Sequence, residues 1–260
     1  MFRRLSFAAA VLFLLPACWG KTLLICQFDP YTPLYQYNAS NWTGFTAALN
    51  TAFGGSSNIT VTSSQLTNAA ALANVDAILV DFRTMAATLA AGEVTNLQSF
   101  IASGRRIVLL GENSSWTVWD NSILGVVGGT FSGSDTSATL TPIVSNSLTA
   151  GVTSLATSGD GITAAGGTSL FNLNVVTLWG AGQNVVTMLS VNTVDDSAGS
   201  AAGNVQFKTN LATWLAGGPS SGGTTPTVPA LSEWGLLLLA ILIIGTAAAA
   251  LAMRPSASRS

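Results

Sequence analysis

Ala77-Ile78-Leu79-Val80, set between Asp76 and Asp81, is a run of four apolar residues. It is too short for a core helix and lacks the polar alternation of a strand with one wet face. Thr22-Leu23-Leu24-Ile25-Cys26 and Ile107-Val108-Leu109-Leu110 repeat the form. Unbroken runs of this length are typical of strands buried on both faces, and such strands belong to parallel sheets. Between the runs the period becomes helical. Trp42, Phe45, Leu49 and Phe53 recur at helical spacing after Asn41, and Leu89, Val94, Leu97, Phe100 and Ile101 do so before Gly104, a C-terminal stop. Ile59 to Val61 reads as a further strand and Leu66 to Leu72 as a short helix. This alternation predicts an α/β fold: a three-layer sandwich with a mainly parallel sheet, helices on both faces and right-handed crossovers. The second half is richer in Gly and Thr and less regular. Val185 to Val191 reads as a strand there, and Val205 to Leu215 as a closing helix with Phe207, Leu211, Trp214 and Leu215 on one side.

The two ends of the chain have a different character. Arg3 and Arg4 precede an apolar stretch from Leu5 to Leu15, with small residues at Ala17 and Gly20, the layout of a secretory signal peptide over residues 1–20. A rival reading makes Leu15-Pro16-Ala17-Cys18 a lipobox with Cys18 lipidated. At the other end, Ala216 to Thr227 is a Gly, Ser, Thr and Pro stretch that reads as a flexible linker. After it come Val228, Pro229, Ala230, Leu231, Ser232, Glu233, Trp234 and Gly235, then an apolar run over 236–253, then Arg254 and Arg259. A run of about 18 residues rises roughly 27 Å as a helix, enough to span a bilayer core. Four of the nine basic residues, Arg3, Arg4, Arg254 and Arg259, flank the two apolar segments, so both tips are expected in the cytoplasm and the intervening body outside.

The element before the span resembles the I-P-T-L-x-x-W-G signal of bacterial IPTL-CTERM proteins. Pro229, Leu231, Ser232, Trp234 and Gly235 match in spacing, while Val228 and Ala230 replace the Ile and Thr of that signal. The resemblance implies a sorting tail read by an exosortase-type membrane peptidase. It implies a membrane-anchored precursor and delivery to the envelope or surface of a Gram-negative-type bacterium. The alternative is a plain C-terminal anchor.

Between Lys21 and Gly218 ten acids face five bases, a net charge near −5, which makes nucleic acid an improbable partner. The chain has no histidine and two cysteines, one of which would leave with the signal peptide. Cys26 then has no disulfide partner, and zinc sites of the His/Cys type are excluded. No metal site and no cofactor is implied.

A second resemblance covers most of the body. D-A-I-L-V-D (Asp76 to Asp81), the stretch from Phe100 to Asn113, S-L-T-A-G-V (Ser147 to Val152) and the stretch from Val191 to Leu215 follow one another as in exported domains of the class I glutamine amidotransferase-like, flavodoxin-like superfamily. Enzymes of that superfamily carry a Cys nucleophile on a strand-to-helix elbow, with a His and a Glu. Here the turn after Leu110 reads Gly-Glu-Asn-Ser-Ser, and without histidine a Ser or Cys would have no general base. The resemblance therefore implies a fold and no catalytic residue.

In such a sheet, ligands bind outside the carboxyl ends of the strands. Those ends carry Asp29, Asp81 with Arg83, Glu112 with Asn113, and Asp195 with Asp196. Two readings stand. As caps of helices and turns these residues are structural. As a rim of oxygen ligands they form a site, with Phe28, Tyr31, Tyr35, Tyr37 and Trp42 in the first loop, and Trp116 and Trp119 after the fourth strand, offering rings that could stack on sugars. The same rings could equally be packing residues. The function expected is thus non-catalytic binding or attachment at the cell surface, with extracellular polysaccharide as a candidate partner. The alternative is a carboxylate-based hydrolase acting on such a polysaccharide.

Overall fold

The computed structural model describes residues 20–27, 34–133, 138–197 and 201–218. The expected signal peptide up to residue 19, Asp29 with its neighbours Phe28 and Tyr31, and the whole of the expected sorting tail from 228 onward lie outside them. Among the described residues no helix is long and apolar enough to cross a membrane; the expected span at 236–253 is not among those residues.

The first half alternates as the apolar runs predict. Strand β1 (Leu23–Cys26) leads to helix α1 (Thr43–Phe53), β2 (Ile59–Thr62) to the short α2 (Ala69–Ala73), β3 (Ala77–Val80) to α3 (Ala91–Ala102), and β4 (Arg106–Leu110) to α4 (Thr117–Gly125). Gly104 ends the α3 turn with φ of 80°, the left-handed conformation expected of a stop at that position. The chain then makes small antiparallel pairs before it returns to the sheet. β5 (Thr130–Phe131) pairs with β8 (Thr163–Ala165), and β6 (Thr139–Leu140) with β7 (Leu155–Ala156). β9 (Thr168–Ser169), β10 (Val176–Trp179), β11 (Val185–Met188) and α5 (Ala202–Ala216) complete the domain.

The seven-stranded sheet has the order β2-β1-β3-β4-β11-β10-β9. From β2 to β11 all pairs are parallel, while β10 runs antiparallel to both β11 and β9. The sheet is therefore mostly parallel, with two strands added at one edge. Every residue of β1, β3, β10 and β11 is buried. Because successive side chains point to opposite faces, this requires cover on both, and the helices supply it: α1 packs beside α5, and α2 beside α3.

The expected strand at Val185 to Val191 is shorter than its apolar run. β11 stops at Met188, and Val191 opens a 3-10 turn whose first amide is held by the Glu112 carboxyl at 2.8 Å. The closing helix runs through Ala216, one residue past Leu215. Gly218 is buried, and its carbonyl accepts a hydrogen bond from the Lys21 ammonium. Ala216, expected as the first residue of the linker, is thus the last of α5, and the Gly218 carbonyl beyond it is bonded to Lys21, two residues before β1.

Candidate functional site

Parallel strands bring their carboxyl ends to one rim. β1 lies between β2 and β3, so the chain leaves it to one side and later crosses to the other, and the loops part there as at the switch point of an open sheet. A crevice of about 180 Å³ opens on this rim, lined by Tyr35, Phe82, Glu112, Trp116, Val191 and Asn192. These residues come from the loops after β1, β3, β4 and β11. Its walls are aromatic. Phe82 and Trp116 meet edge to face, 5.1 Å between ring centres and 73° between planes, and the half-buried Tyr35 joins them.

Glu112 is the carboxyl of this crevice. One oxygen accepts from the Val191 amide at 2.8 Å, and the other is 3.4 Å from the Asn113 side-chain amide. Burial pushes its pKa up to about 7; the Val191 amide works against that rise, and the nearby Asp160 and Asp195 carboxylates add to it. Beneath it, Asp120 is wholly buried on α4 and accepts from the Glu112 backbone amide at 3.0 Å. Burial raises Asp120 to about 8, and its second oxygen has no hydrogen-bond partner. Behind the turn, the loop before β8 presses in. A side chain at Gly161 would lie 2.5 Å from the Glu112 carbonyl and 2.5 Å from the Phe131 ring, so only glycine allows this approach. The same loop carries Asp160, wholly buried, bonded to the Thr157 hydroxyl at 2.5 Å and raised by burial.

The other rim residues have structural partners. Asp81 accepts from the Phe82 amide at 2.9 Å. Arg83 forms a fork on Glu93, at 2.5 and 3.1 Å, while Glu93 also accepts the Ala90 amide at the start of α3. Asn113 caps the 3-10 turn after β4 through the Ser115 amide at 3.0 Å. Asp195 takes the Ser197 amide and hydroxyl and the Asn192 side-chain amide, and so closes its own turn. Asp196 holds the Gly44 amide in the first turn of α1 at 2.8 Å and pairs with the buried Lys208 at 2.6 Å. Of the expected rim, Glu112 alone reaches the crevice among the described residues. Tyr37, Trp42 and Trp119 are buried: Tyr37 donates to Asn50, Trp119 donates to the Leu110 carbonyl, and Trp42 stands edge-on to Phe45. Tyr35 and Trp116 face the crevice as the stacking reading requires.

Sequence reasoning overlooked Phe82, Asn192, Asp120 and Asp160. Phe82 was discoverable, since it directly follows Asp81 at a strand end. Asp160 sits in an irregular loop with no periodic signal, and nothing in its neighbourhood marks it.

Cys26 lies inside β1, fully buried, and burial pushes its thiol up to about 12. Among the described residues no group of three or more Asp, Glu, Cys or His side chains is arranged to hold a metal ion. The turn after β4 does not have a strained elbow: Asn38 and Gln183 are the non-glycine residues with positive φ among those described.

No protein-family model matches the chain, and no curated protein sequence does. Solved structures do resemble it. The N-terminal domain of mmIFT52 superposes with a TM-score of 0.55 at 12% identity, covering 75% of this chain and 97% of its own. A ThuA-like protein from Bacteroides uniformis ATCC 8492 gives 0.52 at 12% identity over 77% of this chain and 94% of its own. A cytoplasmic protein from Salmonella typhimurium gives 0.52 at 11% identity, over 75% and 98%. Identities this low speak to the fold alone, a mixed α/β domain of ThuA-like and flavodoxin-like form.

Proposed function

We propose that this chain is an exported envelope protein, delivered by its C-terminal sorting tail, whose α/β domain binds a small polar ligand at the carboxyl-end rim without transforming it. The observation that carries the binding reading is the crevice itself. Three aromatic side chains surround one buried carboxyl that is about half neutral at pH 7, so it can both donate and accept hydrogen bonds. Catalysis of the superfamily's kind has no support in the chemistry present, since the sequence holds no histidine and Cys26 lies protonated within a strand. A two-carboxylate glycosidase needs a second acid across the bond. Among the described residues lining the crevice, Glu112 is the only acid.

Titration of the full chain with neutral sugars, read by tryptophan emission, tests this. Binding is expected to quench the Trp116 contribution, and Trp116→Phe, which keeps the packing of a ring, should remove that quench. Turnover of a polysaccharide or an amide that is lost in Glu112→Gln would replace the binding reading with a hydrolase.

A further inference from the structure

One long stretch of the chain carries no charge. From Pro30 to Val75 the sequence has no acidic or basic residue, and that stretch supplies α1, β2 and α2. β2 is also one edge of the seven-stranded sheet, where among the described residues it pairs with β1 alone. Thr60 and Val61 are exposed there, Val61 to 43%. Edge strands are commonly blunted by a lysine, a proline or a bulge, because their outward backbone groups can template a further strand. Ile59-Thr60-Val61-Thr62 has none of these, and its register with β1 runs without a shift. The opposite edge, β9, is two residues long and offers little to pair with.

The backbone of β2 fixes which groups face outward. The Thr62 carbonyl accepts the Gln27 amide at 2.8 Å, so Thr62 turns its backbone groups toward β1. The amide and carbonyl of one strand residue point to the same side, and the side alternates along the strand, so Thr60 also faces β1 while Ile59 and Val61 face the open edge. The Ile59 amide is held by the Ser56 carbonyl. The Ile59 carbonyl and both backbone groups of Val61 therefore point away from the sheet.

We infer that β2 is a self-association edge, at which a second copy of this chain adds its own β2 antiparallel and extends the sheet across a two-fold axis. With Val61 on the axis, its amide and carbonyl exchange two hydrogen bonds with Val61 of the second copy, and Thr60 stands opposite Thr62 of the second copy on either side. The match is self-complementary: an exposed valine is covered by its own counterpart, and Thr–Thr pairs of this kind support cross-strand pairing. Charge favours a like partner at this edge. Each copy carries ten acids against five bases between Lys21 and Gly218, so two copies repel in general, while the edge has no charged residue of its own. The nearby Arg83 and Glu93, which share a hollow with Ser63 and Ser64, are paired to each other.

Disulfide trapping in the full chain tests this. Residues directly opposite in an antiparallel ladder have Cα atoms about 5.5 Å apart, within reach of a disulfide. Under mild oxidation Val61→Cys is expected to trap a dimer, above the background of the parent chain, that Val118→Cys and Val205→Cys do not, although those positions are 48% and 52% exposed. Light scattering on the full chain should show a dimer, and Val61→Lys, which sets like charges face to face, should weaken its association about tenfold. Val61→Pro should act in the same direction, since it removes the outward amide and leaves the bonds to β1 in place. Thermal melts matching the parent's show that both variants fold. Equal trapping at all three cysteine positions, a monomeric parent, or a dimer that survives both Val61→Lys and Val61→Pro overturns the inference, the last by placing the contact on the tail or another face. Trapping of Val61→Cys on a different protein and never on its own copy also overturns it.

Discussion

Two carboxyl groups near the rim, beside the likewise raised Asp160, make the stability of this protein depend on pH. Glu112 and Asp120 are both raised by burial, to about 7 and about 8, and the Glu112 charge adds to the reluctance of Asp120 to ionise. In the unfolded chain both would ionise near pH 4. The folded state therefore holds more protons between pH 4 and 8, and the sign of the linkage follows: stability is greatest at the acid end of that window and falls as pH rises through it. Each pH decade in which a group is protonated only in the folded state is worth about 1.4 kcal/mol. With half of that lost to relaxation around the two acids, a melt at pH 5 should be more stable than one at pH 8 by roughly 3 kcal/mol. Asp120→Asn should flatten much of that slope; an unchanged pH profile in the variant would show that Asp120 is not the group responsible. At this scale the sequence was partly readable. It marked Glu112 as a polar residue at the end of a buried strand. It could not separate Glu112 from Asp81, Asp195 or Asp196, because an acid that caps a neighbouring amide and an acid that faces a crevice look alike until the loop is folded. Asp120 was hidden for another reason, since one buried acid on an amphipathic helix gives no periodic signal.

At the level of elements, the parallel half was legible because its strands are buried on both faces, and four apolar residues in a row between polar flanks fit a doubly covered strand far better than a helix. The antiparallel additions were not. β5, β6, β7 and β9 are two residues long each, too short to show any period, and they are held by cross-chain contacts rather than by local preference. Asn204 makes that dependence concrete. This wholly buried side chain accepts from the Ala156 amide at 2.9 Å and donates to the Ala156 and Thr193 carbonyls at 3.0 and 3.2 Å, binding α5, β7 and the turn after β11 together. Its neighbour Gly203 lets α5 approach so closely, because a side chain there would collide with the Ser154 carbonyl. Gly203→Ala should therefore lower the unfolding free energy, with about 1–3 kcal/mol of overpacking, although alanine is the better helix former by about 1 kcal/mol. If the variant is more stable than the parent, the close approach does not hold α5 in place. α4 was equally hard to see, for its nine residues mix Trp119, Ile123 and Leu124 with Asp120 and Asn121, and the apolar stripe is too short to declare itself.

For the molecule as a whole, the strands give the domain two poles. Tyr35, Phe82, Glu112 and Trp116 lie at the carboxyl ends, and Lys21 and Gly218 lie at the amino ends, joined to each other, with Arg106 donating to the Trp214 carbonyl beside them. The proposed sorting tail makes the sharpest prediction here: intact-mass measurement on protein from the native host should find the chain cut near Val228 to Trp234, and replacing Pro229 and Trp234 should leave the uncut form. Retention of Arg254 to Ser260 in the mature protein would return the tail to a plain anchor. The placement of Gly218 also has a mechanical consequence. A chain pulled from this residue, away from the base, while a ligand holds the opposite rim, loads α5 lengthwise rather than peeling it from one end. The helix has to slide along α1 and the sheet as a unit, tearing Lys208 from Asp196 and drawing Phe207, Leu211, Trp214 and Leu215 out of the core together. Resistance to such a pull is a matter of unfolding rate, and shear across many contacts at once makes that rate slow.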